Sequence, residues 1–190
     1  MPQKTKYTKE MILRSGYLLA QKSGIESVNS RSIAGELHCS TQPIFWHYPT
    51  MEELRMAVFE YACEQFEQQV LADACEADFL KKSYLKVISL ARHETNLFRL
   101  IYMSKYCQNQ DLYSVRISYQ SNQLIYQEIK QRFPLSDEAC KDVLIRMSIF
   151  IQGIASFIAT SNIFLPDETV VQMAEKTLID FVQGYKETEL

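Results

Sequence analysis

Residues 40–48 place a threonine, a glutamine, a histidine and the chain's only tryptophan within nine positions. A glutamine amide can pair with adenine in the major groove of DNA, and a threonine can donate to a base edge or contact a thymine methyl group. Thr41 and Gln42 would stand at the start of a short helix, where free backbone N–H groups attract phosphate. One turn on, Trp46 can pack on a sugar and His47 can donate to a phosphate. These residue types favour contact with a DNA duplex.

Two short helices with a polar break between them would present these side chains. Asn29 is a good N-cap for the first helix, and Ser40 is expected to cap the second, at residues 41–47. Pro43 falls in the first turn, where its missing N–H costs nothing. His38 and Cys39 form the break, and the buried face of the first helix is predicted at Ile33, Ala34 and Leu37. The pattern is that of a helix-turn-helix, which lays its second helix in the major groove.

The orientation of Trp46 decides whether it is available to a partner. A lone tryptophan at helical spacing is usually a core residue, but Ile44 and Tyr48 lie four residues apart and already fill the inward face. Trp46 is therefore expected to face outward. His47 has the alternative role of an ordinary surface or capping histidine. Arg31, in the first turn of the preceding helix, can reach the flanking DNA backbone or a guanine, and is otherwise a solvated charge.

The remaining pattern predicts an all-α chain of about nine helices with no convincing strand. Residues 8–22 form the first helix, which Gly24 ends. Thr50 to Glu53 is a T-x-x-E capping box that opens a long helix to about residue 74, a strut of over about 30 Å. Apolar residues at helical spacing predict the others, at about 77–92, 95–106, 111–133, 136–162 and 167–186.

Charge is divided unevenly along the 190 residues. The whole chain carries a net charge of -3, whereas residues 1–50 hold six Lys or Arg against three Glu, a net +3. A basic head on an acidic body fits DNA binding by the head alone. We therefore expect a helix-turn-helix DNA-binding domain in residues 1–50 and a helical ligand-binding and dimerisation domain in residues 51–190.

The sequence offers little for catalysis or metal binding. Its five cysteines form no C-x-x-C and sit in apolar helical patterns, which is typical of buried thiols in a reducing cytosol. Glu-x-x-His, a Gly-rich phosphate loop and G-x-S-x-G are all missing from the sequence. We expect no enzyme, no cofactor and no metal site.

One uncharged stretch, residues 147–166, is long enough to cross a bilayer. It contains too many polar side chains for exposure to lipid, so a helix buried in a core or a subunit interface explains it better. No signal sequence opens the chain. The expectation is a cytoplasmic protein without a membrane partner.

Residues 8–60 resemble the DNA-binding head of the TetR family of transcriptional regulators. The features that carry the resemblance are Gly24, then Asn29-x-Arg31-x-Ile33-Ala34, then Ser40-x-x-x-Ile44-Phe45-Trp46-His47-Tyr48-x-x-x-Glu52-x-Leu54. The resemblance covers about a quarter of the chain, and the total length and helix number also fit. Three positions depart from the family pattern. His38 replaces a turn glycine and can visit the left-handed region at some cost, Phe45 replaces a tyrosine, and Met51 replaces a lysine.

The resemblance implies a homodimer that binds a palindromic double-stranded operator and leaves it when a small-molecule effector binds. The expected effect on transcription is repression. The DNA-binding residues would be Arg31, Ser40, Thr41, Gln42, Trp46, His47 and Thr50. A dimer would form from the last two long helices, where small residues allow close approach and phenylalanine supplies area; the residues are Ser148, Gln152, Ser156, Ala159 and Phe181. The alternative is that these side chains pack within one chain.

The effector pocket would lie in the helical domain of residues 51–190. Aromatic and sulfur-containing side chains there suit an apolar ligand with a few polar anchors; the predicted set is Phe98, Tyr102, Met103, Tyr119, Asn122 and Tyr126. Plain core packing is the alternative for each of them. For the whole chain, the alternative function is a helical carrier of small molecules that does not bind DNA.

Overall fold

Nine α-helices make up the regular structure of residues 7–76, 78–107, 119–161 and 163–188, the parts of the chain that the computed structural model describes. They are α1 (Lys9–Ser23), α2 (Ser30–Glu36), α3 (Gln42–His47), α4 (Met51–Leu71), α5 (Phe79–His93), α6 (Thr95–Met103), α7 (Gln120–Arg132), α8 (Asp137–Ser161) and α9 (Asp167–Thr188). Single 3-10 turns occupy Ile25–Ser27 and Lys105–Cys107. The all-α class predicted from the sequence is confirmed.

The helices form two compact units. The described parts of Met1–Gln65 and Glu94–Gln108 make the first, and those of Phe66–His93 and Asn109–Leu190 make the second. The first unit thus contains α1 to α3, most of α4, and α6. The second contains the end of α4 with α5, α7, α8 and α9.

Local sequence signals set the helix ends in the first unit. The Thr8 hydroxyl accepts from the Met11 N–H at 3.2 Å and begins α1, and Gly24 ends it with a φ of 83°. Such a positive φ favours glycine because it has no Cβ. Asn29 begins α2 by accepting from the N–H groups of Arg31 and Ser32, as predicted.

Ser40 does not cap α3, and that expectation was wrong. The N-cap position falls on Thr41, whose backbone is helical (φ -73°, ψ -17°) and whose side chain makes no capping hydrogen bond. A side-chain cap needs an extended backbone at this position. The Ile44 N–H instead donates to the Thr41 carbonyl at 3.2 Å, so backbone contacts alone close the first turn.

The core of the first unit joins the short helices to α1, α4 and α6. Its fully buried side chains are Ile12, Ala20, Val28, Ile33, Ile44, Leu54, Val58 and Phe98. The Asn96 amide at the start of α6 donates to the Gln21 carbonyl at 3.1 Å, and the Gln21 amide donates to Glu94 at 2.6 Å. Helix α6 is therefore fixed against α1 by polar contacts as well as by burial.

Carboxylates begin two helices of the second unit. Glu67 accepts from both the N–H and the hydroxyl of Ser121, at 2.8 and 2.6 Å, at the start of α7. Glu128 accepts from the Leu80 N–H at 3.0 Å at the start of α5. Each carboxylate satisfies an N–H that the first turn of a helix leaves free. Its negative charge also interacts favourably with the positive N-terminal end of the helix dipole.

Helix α8 is the apolar helix of the second unit. By length and composition alone it could cross a membrane, and a buried core helix passes the same test. One side of it is buried, including Val143, Met147, Ile151 and Ala155. Its Ser156 and Thr160 hydroxyls donate to carbonyls one turn earlier, at 2.8 and 2.7 Å, so these polar groups are satisfied within the helix.

Candidate nucleic-acid interface

Helix α3 buries one face and exposes an aromatic pair on the other. Ile44 is fully buried and Tyr48 nearly so, whereas Trp46 is 62% exposed and Phe45 43% exposed. The predicted orientation is therefore confirmed. A large exposed indole on a six-residue helix costs hydrophobic free energy unless a partner covers it.

The other predicted DNA-binding residues lie on the same helix-turn-helix and its edges. Gln42 is exposed at the start of α3, and Thr41 before it is half-buried. Arg31 is exposed in the first turn of α2, where the Asn29 cap fixes its backbone. Ser40 is exposed in the turn. The arrangement leaves donors at the front of α3 accessible to base edges.

The turn between α2 and α3 depends on His38. Its φ is 49°, in the left-handed region, and the Cys39 N–H donates back to the Ala34 carbonyl at 2.9 Å. This is a Schellman-type helix end, in which the left-handed position is usually glycine. The predicted left-handed histidine is confirmed, and it stores backbone strain of about 1–2 kcal/mol.

Thr50 begins α4 with the predicted capping contact. Its hydroxyl oxygen accepts from the Glu53 N–H at 3.2 Å and donates its proton to the Glu53 carboxylate at 3.0 Å. The Thr50 hydroxyl hydrogen is therefore already used in the hydrogen bond to Glu53. Donation to a phosphate would require that hydrogen bond to break. The side chain is nevertheless exposed.

Two acidic residues follow in the first turn of α4, and one of them is neutralised from outside the helix. Lys105 pairs with Glu52 at 2.9 Å, and the Tyr106 hydroxyl donates to the same carboxylate at 3.4 Å. The hydrogen bond from Lys105 lowers the pKa of Glu52, and that contact in turn raises the pKa of Lys105. This contact lowers the negative charge that a nearby phosphate would meet, and no sequence pattern predicted it.

His47 is half-buried and contacts the segment that precedes α1. Its Nε2 lies 2.9 Å from the carbonyl oxygen of Tyr7. The Tyr7 hydroxyl donates to the His38 carbonyl at 3.4 Å. Two residues later, the Lys9 ammonium lies 5.2 Å from the centre of the Tyr48 ring, within the range of a cation–π contact. Residues 7–9 therefore lie along the helix-turn-helix.

The predicted effector residues divide between the two units. The Phe98 and Tyr102 rings in α6 pack in a tilted arrangement with centroids 5.1 Å apart, and Phe98 is fully buried, while Met103 is half exposed. Tyr119, Asn122 and Tyr126 belong to the second unit. There, a groove of about 270 Å³ is lined by Asn122, Gln123, Tyr126, Gln127, Lys141 and Leu144.

The predicted dimer residues lie beside exposed apolar side chains of α8. Ser148, Gln152 and Ser156 are half-buried, as is Phe181 on α9, and Ala159 is buried. On the open side of α8, Ile149 is 55% and Phe157 62% exposed. These two side chains are eight residues apart, so they share one helix face.

Comparison with known proteins concerns the fold. No protein-family model matches the chain, and no curated protein matches it significantly in sequence. Among solved structures, the multidrug binding protein EbrR, crystallised in complex with imidazole, is similar with a TM-score of 0.57 and 14% identity. The alignment covers 92% of this chain and 94% of EbrR. The two chains share one fold. Because the sequence identity is only 14%, this similarity concerns the fold and does not assign a role to any residue.

Proposed function

We propose that the protein is a dimeric, ligand-responsive DNA-binding transcriptional regulator. The exposed indole of Trp46 is the observation that carries this proposal, because it stands on a short helix whose opposite face is buried and whose front presents Thr41 and Gln42. Base reading falls to Gln42, Thr41 and Arg31. Contacts to the sugar-phosphate backbone of the DNA would come from Ser40, Trp46, His47 and Thr50.

The proposal assigns DNA binding to residues 1–50 and effector binding and dimerisation to residues 51–190. The exposed apolar side chains of α8 support pairing with a second copy, because each would otherwise remain in water. The resulting two-fold symmetry requires a palindromic operator. We assign the protein to the cytoplasm and give it no catalytic role.

A small apolar effector would release the operator, and repression is the expected sign. The likeness in fold to a multidrug binding protein supports a small-molecule ligand. Helix α4 is the element through which binding would act, since it follows α3 directly and its Arg55 donates to the Val28 carbonyl at 3.0 Å. A shift of α4 would therefore move the short helices. Coupling of this kind is typically about 1–3 kcal/mol.

Selection of bound duplexes from a random pool tests the proposal. The expected result is a palindrome with half-site centres about 34 Å apart, or about one DNA turn. A mobility shift of the selected duplex should be lost when one half-site is scrambled. If no duplex is shifted at low salt, the DNA-binding function is ruled out. The alternative function, a helical carrier of small molecules, would then be favoured.

A further inference from the structure

We propose that Lys105 is a positioning residue for DNA binding, which pairs with the Glu52 carboxylate so that this charge does not repel the phosphates beside the start of α4. This inference rests on the proposed DNA-binding function. It starts from the contacts of that carboxylate, one on each oxygen. The Lys105 ammonium lies 2.9 Å from Oε1, and the Tyr106 hydroxyl donates to Oε2 at 3.4 Å. Both oxygens of Glu52 are therefore held by residues 105–106.

Packing of Tyr106 places Lys105 beside Glu52. Tyr106 is buried, and its ring stacks on that of Phe59 with centroids 5.9 Å apart. Phe59 and Glu52 are seven residues apart on α4, so they share one face of that helix. Lys105 is the chain neighbour of Tyr106, and its ammonium also lies 5.3 Å from the centre of the Tyr106 ring. A buried residue thus fixes an ion pair whose two side chains are both more than half exposed.

The place of Glu52 in the fold explains why its charge matters. It lies in the first turn of α4, two residues after Thr50, which we propose to contact phosphate. Because a chain spans at most about 3.6 Å per residue, the Cα atoms of the two residues are within about 7 Å of each other. Salt screens exposed charges over about 8 Å at physiological ionic strength, and only over about 30 Å at 10 mM. An unpaired Glu52 carboxylate would therefore repel a phosphate at Thr50, most strongly at low salt.

The charges around this ion pair leave Lys105 to decide the local balance. Arg55 acts electrostatically on Glu52, and Glu26 acts on Lys105. These four side chains carry two positive and two negative charges, so they balance. Without the Lys105 charge, the group keeps one negative charge in excess. That excess would lie directly after α3, a helix that contains no lysine or arginine to offset it.

A double-mutant cycle in the full chain tests this inference, with fluorescence anisotropy of the selected duplex at low salt as the measurement. Lys105→Gln should weaken binding about two- to fivefold, the size expected for one exposed, screened charge in each of two subunits. Glu52→Gln should have little effect while Lys105 is present. In the Lys105→Gln background it should restore the affinity to within about twofold of the wild type, because it removes the charge that has lost its partner.

Lys82→Gln is the matched control, because it removes the same positive charge from an exposed pair with Glu76, outside the proposed DNA-binding residues. It should bind like the wild type, and a loss equal to that of Lys105→Gln would attribute the effect to net charge and overturn the inference.

Three further outcomes would overturn the inference. The first is unchanged binding by Lys105→Gln. The second is a double variant as weak as Lys105→Gln alone, which would show that Lys105 does not act through Glu52. The third is a Glu52→Gln gain of equal size in both backgrounds, which would show that the two charges act independently. A wild-type protein that binds no duplex would instead overturn the proposed function itself.

Discussion

Gly16 on α1 and Val58 on α4 are so close that a Cβ added to Gly16 would lie 2.8 Å from Cγ2 of Val58. Carbon atoms in contact normally stand about 3.5–4.0 Å apart. The β-branched Val58 side chain is fully buried and stiff about χ1, so it has little room to turn away. The absence of a side chain at residue 16 is what allows the two helices to pack at this distance.

Gly16→Ala should therefore destabilise the first unit. Overpacking typically costs about 1–3 kcal/mol, and the gain in helix propensity returns up to about 1 kcal/mol. The measurement is the free energy of unfolding by urea. Gly35→Ala is the matched control, because a Cβ there meets nothing within 4 Å, and it should be neutral or slightly stabilising. A Gly16→Ala variant as stable as the control would disprove the close contact.

Trp46→Ala should weaken operator binding by about five- to thirtyfold, the loss of about 1–2 kcal/mol expected for an aromatic side chain buried by a partner. The fold should be unaffected because the indole is 62% exposed. Fluorescence anisotropy of a labelled operator measures the affinity. Leu18→Ala on α1, a residue 59% exposed, is the control for loss of an exposed apolar side chain. Equal affinities for the two variants would exclude Trp46 from the interface.

Ser156→Arg should convert the proposed dimer to monomers. Ser156 is half-buried and hydrogen-bonded within α8, so a long charged side chain there would hold apart the two α8 helices that we propose to pair. Sedimentation velocity measures the outcome. Gln131→Arg on the exposed side of α7 introduces the same charge and should stay dimeric. Phe157→Ala should weaken the dimer without a new charge, and unchanged dimers in both α8 variants would place the interface elsewhere.

Tyr84→Phe should change the alkaline stability of the second unit. Burial raises the pKa of Tyr84, and the nearby charge of Glu128 raises it further. The folded chain thus keeps a proton that the unfolded chain loses above about pH 10. The free energy of unfolding is at its full value below that pH and falls as pH rises above it. The phenylalanine variant should lose less stability over this range.

The same variant should be at least as stable as the wild type at pH 7. The Tyr84 hydroxyl is buried without a hydrogen-bond partner among the described residues, and an unsatisfied buried group costs about 1–3 kcal/mol. Thermal unfolding at pH 7 and pH 10.5 measures both effects. Tyr126→Phe, which removes a hydroxyl hydrogen-bonded to Asp137, is the contrasting control and should gain nothing at pH 7. Marked destabilisation by Tyr84→Phe would show that its hydroxyl has a partner.

Local signals in the sequence predicted local structure well. The Asn29 and Thr50 caps act on N–H groups two or three residues away, so residue type and spacing are sufficient to predict them. The outward orientation of Trp46 followed from helical periodicity at Ile44 and Tyr48. The Ser40 cap failed because residue type does not determine backbone conformation, and Thr41 is helical where a capping residue must be extended.

Contacts between distant residues could not be predicted in the same way. His47 meets a backbone carbonyl 40 positions away, and every residue offers such a carbonyl, so no sequence pattern singles out Tyr7. Glu67 and Ser121 are 54 positions apart and meet only because α4 and α7 are packed in the second unit. The operator, effector and dimer assignments stay predictions that the experiments above address.

The single tryptophan has a practical consequence for spectroscopy. Because the chain has no other indole, its tryptophan emission comes wholly from the exposed face of α3. That emission should already resemble an indole in water before denaturation, so it would report global unfolding poorly, and circular dichroism is the better probe. Quenching by stacked bases would report duplex binding directly. The protein therefore carries its own fluorescent sensor at the surface proposed to meet DNA.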